Sequence, residues 1–473
     1  MSEQKENNIM ASSNENYQNT EGKVEIIENE TNIYKNNDTN SEIKKDRASS
    51  DTTILNGALM ITNLCLGVTI FTFAVRIKYF GLVWFVLSCI LVGAATYWSI
   101  IRGSIASSKN EEDDYSELTQ KILGKKMRIF LDVMIIIYTY GVMMVFFTLI
   151  YALLGRFIHS AGYTNKYEDC DIFDKEIWGK PYIKYPVYVG LALGLSLMCL
   201  IKDMNKLKFS SYIGVLAVIY SLFVVLVECK DYYEIYKKEK YIKEIKETHP
   251  NWIDLSKAFT KNLEFFKGLA SLFFANAIHA GTFPVYVGFK YQENGLKKMK
   301  LATFFGMLLT TGLYALSMII SYLTNPYDPE DLIVFRKKKG NDKDIAMTIA
   351  KLFVAISLIF TFPGYYFTLR LSIANSCTKG KIGTAFNYIV TFGSCFGCCL
   401  VAAVYDKILN YLNYIGGFLS VFICYLNPVI LCIKTSGKPF TYWKNLIEIS
   451  ISIILSIIGV MAGILTIIDD VSG

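Results

Sequence analysis

Long apolar runs separated by short polar ones make up most of this chain. Each run of about 20 residues with few or no charges is long enough, as a helix, to cross ~30 Å of hydrocarbon. The pattern predicts about eleven spans, near 54–75, 81–101, 129–158, 185–201, 209–228, 266–289, 301–324, 345–369, 382–404, 410–433 and 444–468. The third is long enough to tilt strongly or to reach beyond the bilayer. The expected fold class is an all-α membrane protein. Residues 1–50 break the pattern: Asn, Glu, Lys and Ser dominate and aromatics are few, the composition of a disordered tail. No cleavable signal precedes the first span, so the tail is expected in the cytosol and 51–473 forms the transmembrane domain.

Two spans carry polar and helix-breaking residues at their centres. The first has Asn63, Gly67, Val68 and Thr69 in its middle. The sixth contains FFANAIHAGTFPVYVGFKY, from Phe273 to Tyr291, with Asn276, His279, Gly281 and Pro284. Proline has no N–H and its ring clashes with the carbonyl four residues back, here that of Ala280, so this helix is expected to open near 277–281. Free backbone groups at membrane depth are costly unless something satisfies them, and a polar substrate can do so. The ordinary alternative is a proline kink whose backbone is satisfied by neighbouring helices. The two interrupted spans are five helices apart, which is the pointer to an inverted repeat: spans 1–5 and 6–10, with span 11 outside the symmetry.

Charge supports this layout. Lys and Arg sit between the apolar runs, and the loops after the even-numbered spans are all basic (Lys121, Lys125, Lys126 and Arg128; Lys202, Lys206 and Lys208; Lys297, Lys298 and Lys300; Arg370, Lys379 and Lys381; Lys434, Lys438 and Lys444). That puts the N-terminus inside and the C-terminus outside. Basic stretches at 230–261 and 336–343 fall on the opposite side and weaken the bias. The 53% hydrophobic and 19% charged composition, with a net charge of +7 in 473 residues, fits a membrane protein and shows no nucleic-acid motif. Most of the eleven Cys lie within apolar runs, as small buried hydrophobes do, and Cys398-Cys399 lacks a metal-ligand spacing. No metal site is expected. Cys170 and Cys229 are nearest to polar loops and are the candidates for a disulfide.

Several residues could hold a small cargo. Backbone N–H groups at Gly67–Thr69, where a half-helix would start, suit a carboxylate without an Arg. Asn63 offers a carbonyl oxygen to a cation or an amine. In span 8, Ser357 and Thr361 share one helix face, and Pro363 frees the carbonyl of Ile359, so an oxygen cage for a small cation is available. Ser/Thr packing between helices is the plain alternative. His279 reads equally as a substrate contact, a pH sensor or a tie between helices. The free carbonyls near 277–280 are expected to meet a substrate amine, which brings in Asn276, Ala280 and Gly281. Lys351 and Glu448 are expected to snorkel to the interface.

These motifs resemble the amino acid/auxin permease family, which includes the system A and system N neutral amino acid transporters and the vacuolar amino acid transporters. Span 1 of that family reads like N-x-x-x-G-x-G. Here it is Asn63-Leu64-Cys65-Leu66-Gly67-Val68-Thr69, with Thr69 in place of the second glycine. Span 6 is similar to the family pattern at Phe274-Ala275, His279 and Pro284-Val285-Tyr286, although Val287-Gly288 replace the usual acidic residue. Span 8 matches at Thr361, Pro363, Phe367, Arg370 and Ser372. The resemblance covers roughly residues 50–470 and implies a LeuT-type fold. It also implies secondary active transport of amino acids through a site between spans 1 and 6. Carried over to this chain, the ion site of the sodium-coupled members falls on Asn63 and Thr361. Proton-coupled members share the fold, so Na+ and H+ both stand as the co-transported ion, with no other cofactor.

The expected function is thus amino acid symport in a lipid bilayer, at the plasma membrane or a vacuolar or lysosomal membrane, by a chain that works as a monomer. The alternative is an amino acid sensor of the same fold that signals through its tail. No enzyme is expected: paired Asp, a His cluster or a nucleophile–base pair at membrane depth is missing. Neither a channel filter motif nor a ring of acidic residues is present.

Overall fold

The computed structural model describes residues 52–67, 69–73, 82–158, 160, 183–200, 208–231, 264–324, 332–335, 344–378, 383–404 and 408–472. The expected tail, Val68 and Cys170 lie outside the described residues. Those described are helical apart from short turns, with no strand among them. Among the described residues eight helical stretches are long and apolar enough to cross a membrane, two of them (Gly268–Lys290 and Tyr414–Thr435) running through an interruption, and three shorter apolar helices accompany them: Ile54–Leu66, Lys184–Cys199 and Tyr212–Val227. Large apolar side chains such as Leu308, Ile389 and Ile454 stand exposed on their outer faces, as lipid contact requires.

In chain order the first helices are α1 (Ile54–Leu66), α2 (Leu82–Asn110), α3 (Tyr115–Leu123), α4 (Lys125–Ile158), α5 (Lys184–Cys199) and α6 (Lys208–Val227). There follow α7 (Glu264–Ala275), α8 (His279–Lys290), α9 (Gly295–Thr324), α10 (Ile345–Thr378), α11 (Thr384–Val404), α12 (Ile408–Val421), α13 (Asn427–Thr435) and α14 (Trp443–Ser472). Thr53 starts α1 by accepting the Asn56 N–H on its hydroxyl at 3.2 Å. Asp114 starts α3, its Oδ1 accepting the N–H groups of Ser116 at 2.8 Å and Glu117 at 2.9 Å.

The packing repeats itself across the two halves of the chain. α4 packs against α10, α5 against α11, and α2 against α9. Each pair joins a span to the one five spans later, the arrangement of a LeuT-type inverted repeat. α1 lies between α9 and α6, while α7 lies against α12 and α14. α14 crosses α12 where Gly417 meets Gly459 and Gly463: a side chain at Gly417 would come within 2.5 Å of the Gly463 backbone.

Three details differ from expectation. α10 runs on to Thr378, so Arg370 is a buried helix residue rather than a loop charge: its Nη1 donates to Asn387 Oδ1 at 2.9 Å and to the Cys199 carbonyl at 3.4 Å. Glu448 does not snorkel alone, because it pairs with Arg102 of α2 at 2.6 Å. Lys351 donates to Ser160 Oγ at 2.9 Å instead of reaching free to the interface. In each case a protein group accepts from or pairs with the charge, and a satisfied charge costs less within the bundle than a bare one.

Candidate functional site

Both expected interruptions are present, and they are built differently. α1 ends at Leu66, Gly67 leaves the helical conformation, and helix resumes over 69–73. The last carbonyls of α1 have no partner within their own helix. Other helices supply it. The Tyr365 hydroxyl of α10 donates to Leu64 O at 2.8 Å. The Tyr314 hydroxyl of α9 donates to Cys65 O at 2.6 Å.

In span 6 the gap between α7 and α8 is Asn276-Ala277-Ile278. It lies earlier than the 277–281 that the proline argument places it in. Pro284 stands inside a continuous α8, and Gly281 donates its N–H to Ile278 O at 2.9 Å. Tight local bonds close this gap: Ala277 N to Phe274 O at 3.0 Å, and Ile278 N to Asn276 O at 2.9 Å. Asn276 turns its Nδ2 back onto Leu272 O at 2.9 Å. Proline early in a helix removes one bond, while the break occurs where Asn276 offers the backbone a competing side-chain partner. Ala275 O is the one carbonyl here that receives an outside donor, Tyr314 at 3.3 Å.

A small cavity lies where the breaks meet. Cys65, Gly67 and Thr69 line it from the first, Phe274 and Ala275 from the second. Val142, Val145 and Phe146 of α4 form an apolar wall, and Tyr365 completes it. The C-terminal ends of α1 and α7 both face this space, so two partial negative charges favour a cation there. The helix start at Thr69 offers a partial positive charge to an anion.

Asn63, Ser357 and Thr361 come together one turn away. Asn63 Nδ2 lies 3.4 Å from Thr361 Oγ1, which donates to Ser357 O at 2.8 Å. Gly214 of α6 faces the same point. A methyl built on it would stand 1.9 Å from Asn63 Oδ1 and 3.2 Å from Ser357 Oγ. All three polar residues are buried. Oxygens of this kind, drawn from two helices with Gly214 of a third leaving room beside them, are what a hard monovalent cation needs.

The remaining candidates stand elsewhere. His279 is 1% exposed and neither ring nitrogen has a hydrogen-bond partner among the described residues. Its ring lies edge-on to Tyr425, centroids 6.1 Å apart. Tyr425 belongs to a π-helical turn, Phe422–Leu426, that joins α12 to α13. Gly281 packs on the Leu64 side chain, and Ala280 lines a second small cavity with Pro284, Asp113 and Asp114. Beside that cavity Lys290 Nζ pairs with Asp113 at 2.6 Å. Burial holds the Asp114 carboxyl above the usual carboxylate range, with the charge of Asp132 adding to the shift. Sequence reasoning missed Tyr314, Tyr365 and Gly214. The two tyrosine hydroxyls act on another helix's backbone, and Gly214 acts by the side chain it lacks, so no local pattern marks them.

Comparison with known proteins agrees with this geometry. The solved structure of a Na+-coupled sialic acid symporter, in a substrate-bound outward-open state, superposes with a TM-score of 0.52 over 89% of this chain and 90% of its own, at 12% identity. At that identity the likeness is one of fold. The sodium-coupled neutral amino acid transporter 7 of Mus musculus is 21% identical over 342 residues, 69% of this chain. The match spans 65% of that relative's length. The profile of the family described as transmembrane amino acid transporter protein matches residues 50–469, and the chain therefore belongs to that family.

Proposed function

We propose that this protein is a secondary active transporter that moves neutral amino acids across a membrane, driven by a sodium gradient. The observation that carries this reading is the convergence of Asn63, Ser357 and Thr361 beside the first helix break. A sodium ion held there would contact the same helix whose broken end faces the substrate cavity, so filling one site would steady the other. The apolar wall of Val142, Val145 and Phe146 suits an uncharged side chain. The substrate carboxylate would meet the N–H groups at the helix start near Thr69. The similarity to a mouse sodium-coupled neutral amino acid transporter points the same way.

The orientation follows from the basic loops, with the tail and the α3 end of the bundle in the cytosol. The cavity at Asp113 and Asp114 then becomes the inner exit, closed by the Lys290 pair.

The test is uptake of each of the twenty amino acids into liposomes containing the purified protein, under separate sodium and proton gradients. Uptake of neutral amino acids driven by sodium is expected, and Asn63→Ala and Thr361→Ala should each abolish the sodium dependence. Uptake driven only by protons would remove the sodium assignment, and no uptake under either gradient would remove the transporter reading.

A further inference from the structure

The carbonyls that a substrate amine would need are already occupied. Among those expected near 277–280, Ile278 O accepts from Gly281 N and Thr282 N, and His279 O accepts the Thr282 hydroxyl at 2.8 Å. The free ends of α1 and α7 instead present Leu64 O, Cys65 O and Ala275 O, and two tyrosine hydroxyls lie against all three: Tyr365 donates to Leu64 O, and the single O–H of Tyr314 is shared between Cys65 O, the nearer, and Ala275 O. Both donors come from helices outside the breaks, α10 and α9. Tyr314 is fully buried between the two breaks and touches both. Tyr365 is only partly buried and forms part of the cavity wall, its oxygen 3.8 Å from a methyl built on Gly67.

We propose that the hydroxyls of Tyr365 and Tyr314 are displaceable stand-ins for the substrate's ammonium group, holding Leu64 O, Cys65 O and Ala275 O in the empty protein and yielding them when a primary amine arrives. This rests on the transporter reading above. A primary ammonium carries three N–H donors, enough for three carbonyls at two negative helix ends. An N-methylated amine has one donor fewer and a methyl where a carbonyl oxygen should be met. The substrate class is therefore primary amino acids, with N-methylated ones bound poorly. Tyr365 also stands one turn beyond Thr361 on the same face of α10, so adjacent residues of span 1 are held by successive turns of one helix: Asn63 by Thr361, Leu64 by Tyr365. Release of Leu64 O by Tyr365 would then be felt at the cation position.

The sign of one mutation separates this from a structural role. Tyr365→Phe keeps the ring and removes the donor. In the empty protein Leu64 O is then left without its partner, whereas in the loaded protein the substrate satisfies it. The variant should bind substrate more tightly, by about tenfold for one buried carbonyl left open. The measurement is equilibrium binding to the purified full chain in sodium. The probe is whichever standard amino acid gives the largest sodium-driven uptake, tested beside its N-methyl derivative. Tyr314→Phe should tighten binding in the same direction. The N-methyl derivative should gain less than threefold from either change. Unchanged or weakened binding of the primary amino acid in both variants overturns the proposal while leaving the transporter reading intact. If no amino acid binds the parent protein, it is the transporter reading that fails.

Discussion

The two broken helices make an instructive pair. Each interrupts a membrane span at its centre, yet they resolve the same backbone problem in opposite ways. The break in span 6 closes on itself through short-range bonds and the Asn276 side chain, and only Ala275 O looks outward. The break in span 1 is satisfied from outside, by tyrosines on α9 and α10, with Asn63 held by Thr361. A break closed by its own residues is a fixed bend. A break closed by other helices changes whenever those helices, or a ligand, change. Adaptable chemistry thus belongs mainly to span 1, and span 6 supplies a rigid counterpart.

The largest effect should come from the support of the first break. Gly214→Ala puts a methyl 1.9 Å from Asn63 Oδ1, an overlap that forces Asn63 away from Thr361. Overpacking of this kind costs up to about 3 kcal/mol, so sodium-driven uptake should fall by roughly 100-fold while the protein still folds. Detergent-solubilised protein that elutes as a single species but transports at the parental rate would show that Asn63 can move freely, and the contrast between the breaks would weaken.

The second break should respond in stability rather than in binding. Asn276→Ala removes the bond to Leu272 O, whose other donor, the backbone N–H of residue 276, remains at 3.2 Å. A loss of about 1 kcal/mol in unfolding free energy is expected, read as a modest drop in melting temperature, with substrate affinity within about twofold of the parent. A large loss of affinity at normal stability would move Asn276 into the substrate site and make the two breaks alike.

Much of this was legible before any coordinates. The all-helical membrane class follows from run length, because hydrocarbon leaves a backbone few alternatives. The broken spans follow from polar residues where lipid-facing ones are cheapest, and Asn63 and Thr361 come together as the family resemblance implies, with Ser357 on the helix face it shares with Thr361. What stayed hidden depends on other helices. Gly214 looks like any membrane glycine until the space in front of it is known to hold Asn63. Tyr314 and Tyr365 look like ordinary aromatics until their hydroxyls are seen on carbonyls of span 1. His279, the most conspicuous polar residue of span 6, faces Tyr425 and lies outside the lining of the cavity between the breaks.

Pro284 gives the smallest predicted effect and the sharpest test of how the second break arises. If the proline opened the helix, Pro284→Ala would let α8 extend backwards, close the gap and abolish uptake. The geometry argues otherwise. α8 is continuous from His279 to Lys290 around the proline, and the gap at 276–278 is held by bonds in which residue 284 takes no part. The substitution restores the single helical bond that Ala280 O gives up and leaves the gap in place. Uptake should stay within about threefold of the parent, and the melting temperature should hold or rise, since the change adds a backbone donor at a site where proline is tolerated rather than required. Loss of uptake with a higher melting temperature would mean that the proline, and not the backbone bonds at 276–278, keeps span 6 open.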